Sequence, residues 1–170
     1  MNINNRTYIK YFSTLVVALF LVLTAAPAAA SEYPALEGLQ GVHSVFDVSL
    51  ESPAMANIVF AAVKGVYSDE SVRALPNPPK TAIVFHGPAV KLISTLREGF
   101  EGSDLKALDE FAALLRQMKK DGVILEVCDY ALEVLGVDPE TILPEIDHVG
   151  NGFISVVGYQ AQGYSLVAIK

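Results

Sequence analysis

The sequence predicts an α/β protein, a three-layer α/β/α sandwich around a mostly parallel five-stranded sheet. Five short apolar runs recur along the chain from about residue 42 onward, and segments with apolar residues at helical spacing separate them. Strands buried on both faces are apolar throughout, and parallel neighbours need a crossover of helix length between them. The alternation therefore predicts one α/β domain over residues 31–170.

The predicted strands are short and rich in β-branched residues, which favour extended structure. They cover residues 42–50, 81–85, 123–127, 146–149 and 164–169. The second strand must stop near His86-Gly87-Pro88, because proline cannot donate to a sheet ladder and disfavours helix just before it.

Helices are predicted between these strands from capping residues and apolar spacing. Ser52 and Pro53 begin the first helix. Its inward face is expected to consist of Met55, Ile58, Val59, Ala62, Val63 and Val66. Residues 68–79, which contain three prolines, are expected to form a loop.

Later helices follow the same signals. Ser103 is expected to cap a helix that ends at Lys120, with an inward stripe of Leu105, Leu108, Phe111, Leu115 and Met118. Shorter helices are expected over residues 90–96 and over residues 130–135, the latter closed by Gly136. In the last helix, residues 152–162, one side should hold Phe153, Val156, Val157 and Gln160.

Residues 1–30 have the pattern of a cleavable export signal. Arg6 and Lys10 precede an apolar run over residues 15–26, and three alanines follow at residues 28–30. The run is shorter than the roughly 20 apolar residues that span a bilayer. We therefore expect cleavage after Ala30 and a periplasmic or secreted product that is free of the membrane. A retained anchor is the alternative.

The charge of the remaining chain excludes one class of partner. Residues 31–170 contain 10 Lys and Arg against 19 Asp and Glu, a net charge of −9. Such a surface repels phosphate backbones, so nucleic acid is not an expected partner. Cys128 is the only cysteine, so no intramolecular disulfide can form.

Ligands of open α/β sheets bind beyond the carboxyl ends of the strands. That rule selects residues 47–49, 86–88, 128–129 and 150–152. The candidate site residues among them are Asp47, His86, Gly87, Cys128, Asp129 and Asn151. Cys128 is the candidate nucleophile, because it ends a strand just before a helix whose free N–H groups favour a thiolate, although Asp129 opposes that charge. The alternative is a small buried hydrophobe, as free cysteines often are.

His86 has the chemistry of an acid, a base or a metal ligand beside that thiol, or of a histidine that only stabilises a turn. His43 and His148 have no partner at metal-ligand spacing, so no metal and no cofactor are predicted. A zinc or copper site that joins Cys128 to His86 is a weaker alternative. Gly-x-Ser-x-Gly is absent and no glycine follows the first strand, which excludes a hydrolase elbow and a phosphate-binding loop.

Three segments resemble the DsrE/DsrF-like family. They are Ala82 to Leu92 (AIVFHGPAVKL), Gly122 to Cys128 (GVILEVC) with Leu132 and Gly136, and Leu143-Pro144 with Val149, Asn151-Gly152, Gln160 and Gln162-Gly163-Tyr164. The resemblance covers about residues 40–170. It implies a five-stranded α/β/α sandwich that assembles into trimers or hexamers.

The resemblance also implies a role for Cys128. In the sulfur-relay members a cysteine at this position accepts sulfur as a persulfide, and His86 and Asn151 would line its pocket by position. Those members act in the cytoplasm, whereas this chain is expected to be exported, which argues against tRNA thiolation.

Two functional hypotheses follow. In the first, the chain is an exported thiol-based sulfur carrier or sulfur-binding protein, and Cys128 exchanges sulfur with a separate donor or acceptor protein because no second cysteine exists. In the second, it is a non-catalytic module that binds a small ligand or assembles into oligomers.

Overall fold

The computed structural model describes residues 33–170. The predicted export signal, residues 1–30, lies outside these residues. The helices and strands below belong to one compact unit, residues 35–170.

The centre of the fold is a five-stranded sheet in which every pairing is parallel. Its strands are β1 (His43–Val48), β2 (Lys80–Phe85), β3 (Ile124–Cys128), β4 (Asp147–Val149) and β5 (Ser165–Ile169), in the spatial order β4-β3-β2-β1-β5. The predicted α/β class is confirmed, and the sheet is parallel throughout.

The helices lie between the strands, as predicted. They are α1 (Pro53–Ser68), α2 (Glu70–Arg73), α3 (Ala89–Leu92), α4 (Ser103–Lys120), α5 (Asp129–Leu135) and α6 (Gly152–Ala161). Ser52 caps α1 by accepting a hydrogen bond from the Met55 N–H at 3.3 Å. Gly136 ends α5 with a φ of +65°, a left-handed conformation that glycine adopts without strain.

The order of the strands places the helices in two layers. The chain steps from β1 through β2 and β3 to β4 in one direction, and then returns to lay β5 on the other side of β1. Crossovers between parallel strands are right-handed, so a reversal of direction moves the connecting helix to the opposite face. Accordingly α1 packs against α4, whereas α6 contacts β1, β2, β3 and β5.

The two faces of the sheet have unequal cores. The larger core centres on three aromatic rings, with Phe60 stacked on Phe85 at a centroid distance of 5.8 Å and edge-on to Phe111 at 4.8 Å. The smaller core, beneath α6, consists of Val45, Ala82, Val84 and Val156. The fold therefore depends mainly on the aromatic side of the sheet.

The predicted inward face of α1 is wrong in part. The buried residues are Pro53, Ala56, Phe60 and Val63, whereas Met55, Ile58 and Ala62 are exposed. Because α1 carries apolar residues on nearly all sides, helical spacing alone does not single out one stripe. The face that packs is the one that brings Phe60 against the other aromatic rings.

Three smaller expectations also need correction. Residues 68–79 are not a loop throughout, because α1 extends to Ser68 and Asp69 caps the single turn of α2 by accepting from the Ser71 N–H at 2.8 Å. Gly102, with a φ of +55°, precedes α4, so Ser103 is its first residue and not its cap. Leu105, which is predicted to lie on the inward stripe of α4, is exposed. Among residues 33–170, no helix combines the length and apolarity needed to cross a bilayer.

Replacement of the central aromatic ring tests the corrected face of α1. Phe60→Ala removes a fully buried side chain, and we expect it to lower the free energy of unfolding by about 3–5 kcal/mol. Ile58→Ala, at a residue that is 67% exposed, should change it by less than about 0.5 kcal/mol. Urea denaturation followed by circular dichroism measures both. Equal losses in the two variants would contradict this packing.

Candidate functional site

Strand geometry brings three chemically active side chains to one edge of the sheet. Side chains alternate between faces along a strand. Val45 and Val84 contact α6, so Asp47 and His86, each two residues further along, lie on the same face. The β2–β3 register pairs Phe85 with Val127, which places His86 beside Cys128 at the next position. Neighbouring strands are roughly 5 Å apart.

The first residue of α6 packs directly on this pair. A Cβ atom added to Gly152 would lie 3.0 Å from the Cys128 Cβ, 3.0 Å from the Val84 Cγ1 and 3.4 Å from the His86 Nδ1. Cys128 and His86 therefore lie within van der Waals reach of the same point. Only glycine leaves the room that this approach requires.

Asp47 and Lys170 fix one side of the His86 ring. The His86 Nε2 contacts the Asp47 Oδ1, and the Lys170 Nζ lies 3.1 Å from the Asp47 Oδ2. On its other side, the imidazole lies 4.9 Å from the Phe153 ring, centroid to centroid. The His86 Nδ1 is buried and has no hydrogen-bond partner within the described part of the chain.

Burial determines the charge of His86. Desolvation lowers the pKa of the imidazole below its ordinary value, and Lys170 lowers it further, whereas Asp47 raises it. Burial has the largest effect, so the ring is neutral at neutral pH. Because a carboxylate only accepts hydrogen bonds, the proton of the neutral ring lies on Nε2, and Nδ1 carries the lone pair.

A cavity of about 270 Å³ opens at the carboxyl edge of the sheet. Its lining residues are Ser49, His86, Gly87, Cys128, Tyr130, Ala131, Val134, Leu135, Phe153 and Lys170. Most of these are apolar, and one wall is formed by α5. Cys128 is only 2% exposed and also belongs to the larger core cluster. The Cys128 side chain therefore forms part of the cavity wall, with almost none of its surface exposed to solvent.

The structure places the residues selected from the sequence in two groups. The cavity is lined by His86, Gly87 and Cys128. Asp47 does not line it, but its carboxylate contacts the His86 ring. Asp129 and Asn151 do not line it. The Asp129 Oδ1 lies 2.6 Å from the His148 Nδ1, and the Asn151 side chain caps α6 by accepting from the Phe153 N–H at 3.0 Å.

Several lining residues did not stand out in the sequence, among them Lys170, Tyr130 and Phe153. Lys170 follows the carboxyl end of β5, so the rule that selected the other strand ends would also have selected it. Tyr130 and Phe153 belong to helices, and no local signal marks either as a cavity residue. Both become visible only when α5 and α6 are packed on the sheet.

This arrangement can support nucleophilic chemistry. It combines a thiol, an unpaired imidazole nitrogen and a largely apolar cavity that Lys170 also lines. Across residues 33–170, no group of three or more His, Cys, Asp or Glu side chains is placed to hold a metal ion.

Comparisons with known proteins point to one family. The model of the DsrE/DsrF-like family matches residues 43–169. A protein of unknown function from Methanobacterium thermoautotrophicum, MTH1491, shares the fold with a TM-score of 0.58 and 16% identity, over 75% of this chain and 98% of its own. The ychN protein from E. coli gives a TM-score of 0.46 and 11% identity, over 77% and 100%. No curated protein matches the chain.

The close approach of α6 predicts the effect of adding one methyl group. Gly152→Ala forces contacts of 3.0 Å with Cys128 and Val84, and we expect a loss of about 1–3 kcal/mol in the free energy of unfolding. Gly158→Ala in the same helix meets nothing within 4 Å and should stabilise by about 0.5–1 kcal/mol. Urea denaturation measures both values. Two variants of equal stability would show that α6 does not pack tightly on Cys128.

Proposed function

The chain belongs to the DsrE/DsrF-like family, and from this premise we propose that it is an exported sulfur carrier whose Cys128 holds the transferred sulfur as a persulfide. The observation that supports the proposal is the position of Cys128 in the cavity wall beside His86. In this interpretation the burial of the thiol protects the carried sulfur, and the cavity gives access to it.

The walls of the cavity suit a sulfur atom. Ala131, Val134, Leu135 and Phe153 provide apolar contact for a soft, polarisable atom, and sulfur packs favourably near aromatic rings. Lys170 adds a positive charge that favours an anionic persulfide. A water molecule occupies about 30 Å³, so a cavity of about 270 Å³ admits a small donor or the tip of a larger one.

The proposed transfer is a thiol exchange. The Cys128 thiolate attacks the outer sulfur of a donor persulfide, R–S–SH. The Cys128–sulfur bond forms as the donor S–S bond breaks, and the donor leaves as the thiolate R–S⁻. The product is Cys128–S–SH, and an acceptor thiolate on another molecule later removes the outer sulfur by the same step. No external oxidant or reductant takes part.

The location of this chemistry is part of the proposal. Arg6, Lys10, the apolar run and the alanines at residues 28–30 support export and cleavage after Ala30. The intact mass of the protein isolated from cells tests this site. A mass that corresponds to an uncleaved chain would remove the export step and leave the thiol chemistry unaffected.

Intact mass spectrometry also tests the carrier proposal. After exposure to a small persulfide donor without reductant, we expect the wild-type protein to gain the mass of one sulfur atom. Cys128→Ser should gain nothing, because a hydroxyl does not replace the thiolate as a nucleophile at neutral pH. A wild-type protein that gains no sulfur, or an equal gain in the variant, would contradict the proposal.

A pair of tryptophan variants tests whether the sulfur enters through the cavity. Val134→Trp places a large side chain in the cavity lining and should slow the gain of sulfur. Ile58→Trp is the control, since Ile58 is similarly exposed but lies on α1 away from the cavity.

A second function, assembly, is favoured by the outer surface of α6. Phe153, Ile154 and Val157 are 61%, 71% and 64% exposed. Burial of one such side chain contributes about 1.5–3 kcal/mol, so together they favour contact with a second copy of the chain. We propose that the chain forms a homo-oligomer through α6, in line with the trimers or hexamers that the family resemblance implies.

Sedimentation analysis tests this assembly. We expect the wild-type protein to sediment as an oligomer and the double variant Ile154→Glu, Val157→Glu as a monomer, because a charge cannot be buried there without a partner. Leu105→Glu is the control on α4, and it should leave the mass unchanged. A monomeric wild-type protein at micromolar concentration would contradict the proposal.

A further inference from the structure

We propose that His86 takes the thiol proton of Cys128, and that Asp47 is a positioning residue that keeps the His86 Nδ1 free to receive it. The inference rests on the proposed function for the identity of the electrophile. The proton transfer itself applies to attack by Cys128 on any small electrophile.

The first support is the placement of the two side chains. His86 and Cys128 are neighbours across the β2–β3 register on the same face of the sheet, and both line the cavity. A Cβ atom built on Gly152 would lie 3.0 Å from the Cys128 Cβ and 3.4 Å from the His86 Nδ1, so Nδ1 and the Cys128 side chain border the same point. A base must come within hydrogen-bond distance of its proton, and rotation of the Cys128 side chain within the cavity changes that distance.

The second support is the unpaired nitrogen itself. His86 is 5% exposed, and its Nδ1 has neither water access nor a partner among residues 33–170. Buried polar atoms without a hydrogen bond are uncommon and costly. A nitrogen lone pair kept free beside a thiol is the arrangement that a proton acceptor requires.

The third support is the hydrogen bond on the opposite side of the ring. The Asp47 carboxylate accepts from Nε2–H, which fixes the tautomer that leaves Nδ1 unprotonated. Asp47 also stabilises the imidazolium that forms when Nδ1 takes a proton. Lys170 holds the second oxygen of Asp47 at 3.1 Å and so restrains the carboxylate.

The lowered pKa of His86 agrees with this role, since the ring is neutral and able to accept a proton at neutral pH. The titratable groups around it are Asp47 on β1, Cys128 on β3, Lys170 beyond β5 and Tyr130 of α5, which also lines the cavity. The element packed against its outer side, α6, presents the uncharged Phe153.

The proton balance of the transfer is then complete. The Cys128 thiol gives its proton to the His86 Nδ1, and the resulting thiolate attacks the outer sulfur of R–S–SH. The donor S–S bond breaks, and the departing R–S⁻ takes the proton from Nδ1. The net reaction converts Cys128–SH and R–S–SH into Cys128–S–SH and R–SH, and His86 returns to its neutral form.

The test is the pH dependence of Cys128 alkylation by iodoacetamide in the folded protein. An ordinary thiol, with a pKa of about 8.5, is only a few per cent ionised at neutral pH, so assistance by a base can raise its reactivity by about 10- to 30-fold. We expect His86→Gln to react about 10-fold more slowly than the wild-type protein at pH 7. The difference should close near pH 10, where an ordinary thiol is ionised without a base.

Two further variants separate the roles. Asp47→Asn keeps the His86 ring but no longer fixes which ring nitrogen carries the proton. We expect its alkylation rate at pH 7 to fall by less than in His86→Gln, and to equal the wild-type rate at high pH. His148→Gln is the matched control, because His148 also pairs with an aspartate but is more exposed and does not line the cavity. Its alkylation profile should equal that of the wild-type protein.

Three results would overturn the inference. One is a His86→Gln profile equal to that of the wild-type protein at every pH. Another is faster alkylation at every pH, which a variant that only loosens the fold would show, since it exposes a buried thiol. The third comes from the wild-type protein alone, where nitrogen NMR of labelled histidine should find Nε2 protonated and Nδ1 unprotonated at neutral pH. The opposite tautomer would exclude the proposed acceptor.

The failure of this inference differs from the failure of the carrier proposal. A protein that takes up sulfur at the same rate with and without His86 would retain the carrier function and lose the base. A protein that takes up no sulfur but shows the pH-dependent loss in His86→Gln would retain the base and lose the carrier function.

Discussion

The pairing of β2 with β3 is the constraint on which the site depends. Phe85 lies opposite Val127, so the next residues, His86 and Cys128, are side by side on one face. A shift of one residue would turn one of the two side chains to the opposite face of the sheet, because side chains alternate along a strand. The register is held by the apolar side chains that precede the site, since Phe85 and Val127 both belong to the larger core. Core packing thereby sets the chemistry at the edge of the sheet.

The unequal cores explain why the site lies where the helix cover is thin. The aromatic side of the sheet is covered by two long helices, whereas the site side is covered by the ten residues of α6. That helix approaches the sheet closely at Gly152, and beyond this contact it leaves a cavity bounded by α5. The close packing of Gly152 holds the Cys128 and His86 side chains in place. The cavity beside them is the space left between the short helices α5 and α6.

Much of the fold follows from sequence, because its signals are local and repeated. Five apolar runs separated by helical segments are enough to predict a parallel sheet. The rule of strand ends selects His86, Gly87 and Cys128, and all three line the cavity. The inward face of α1 does not follow, since an almost wholly apolar helix offers several equivalent stripes. The partner of His86 does not follow either. Asp47 lies 39 residues earlier, and only the adjacency of β1 and β2 brings the two together.

Asp129 and Asn151 show a different limit of prediction from sequence. Asp129 and Asn151 lie at strand ends, as a cavity residue should, yet each has a closer partner: His148 in one case and the first turn of α6 in the other. Position along the chain identifies which residues reach the edge of the sheet. Position does not determine which neighbour forms a hydrogen bond with the side-chain oxygen atoms of these residues, because that depends on loop geometry.

The near-complete burial of Cys128 also limits what can meet it. A disulfide requires two sulfur atoms about 2 Å apart, and two globular surfaces cannot bring a recessed sulfur to that distance. Two copies of the chain therefore cannot crosslink through this residue while both are folded. Any protein that exchanges with it must offer its reactive atom on a slender extension, such as a free terminus or a protruding loop, narrow enough to enter the cavity.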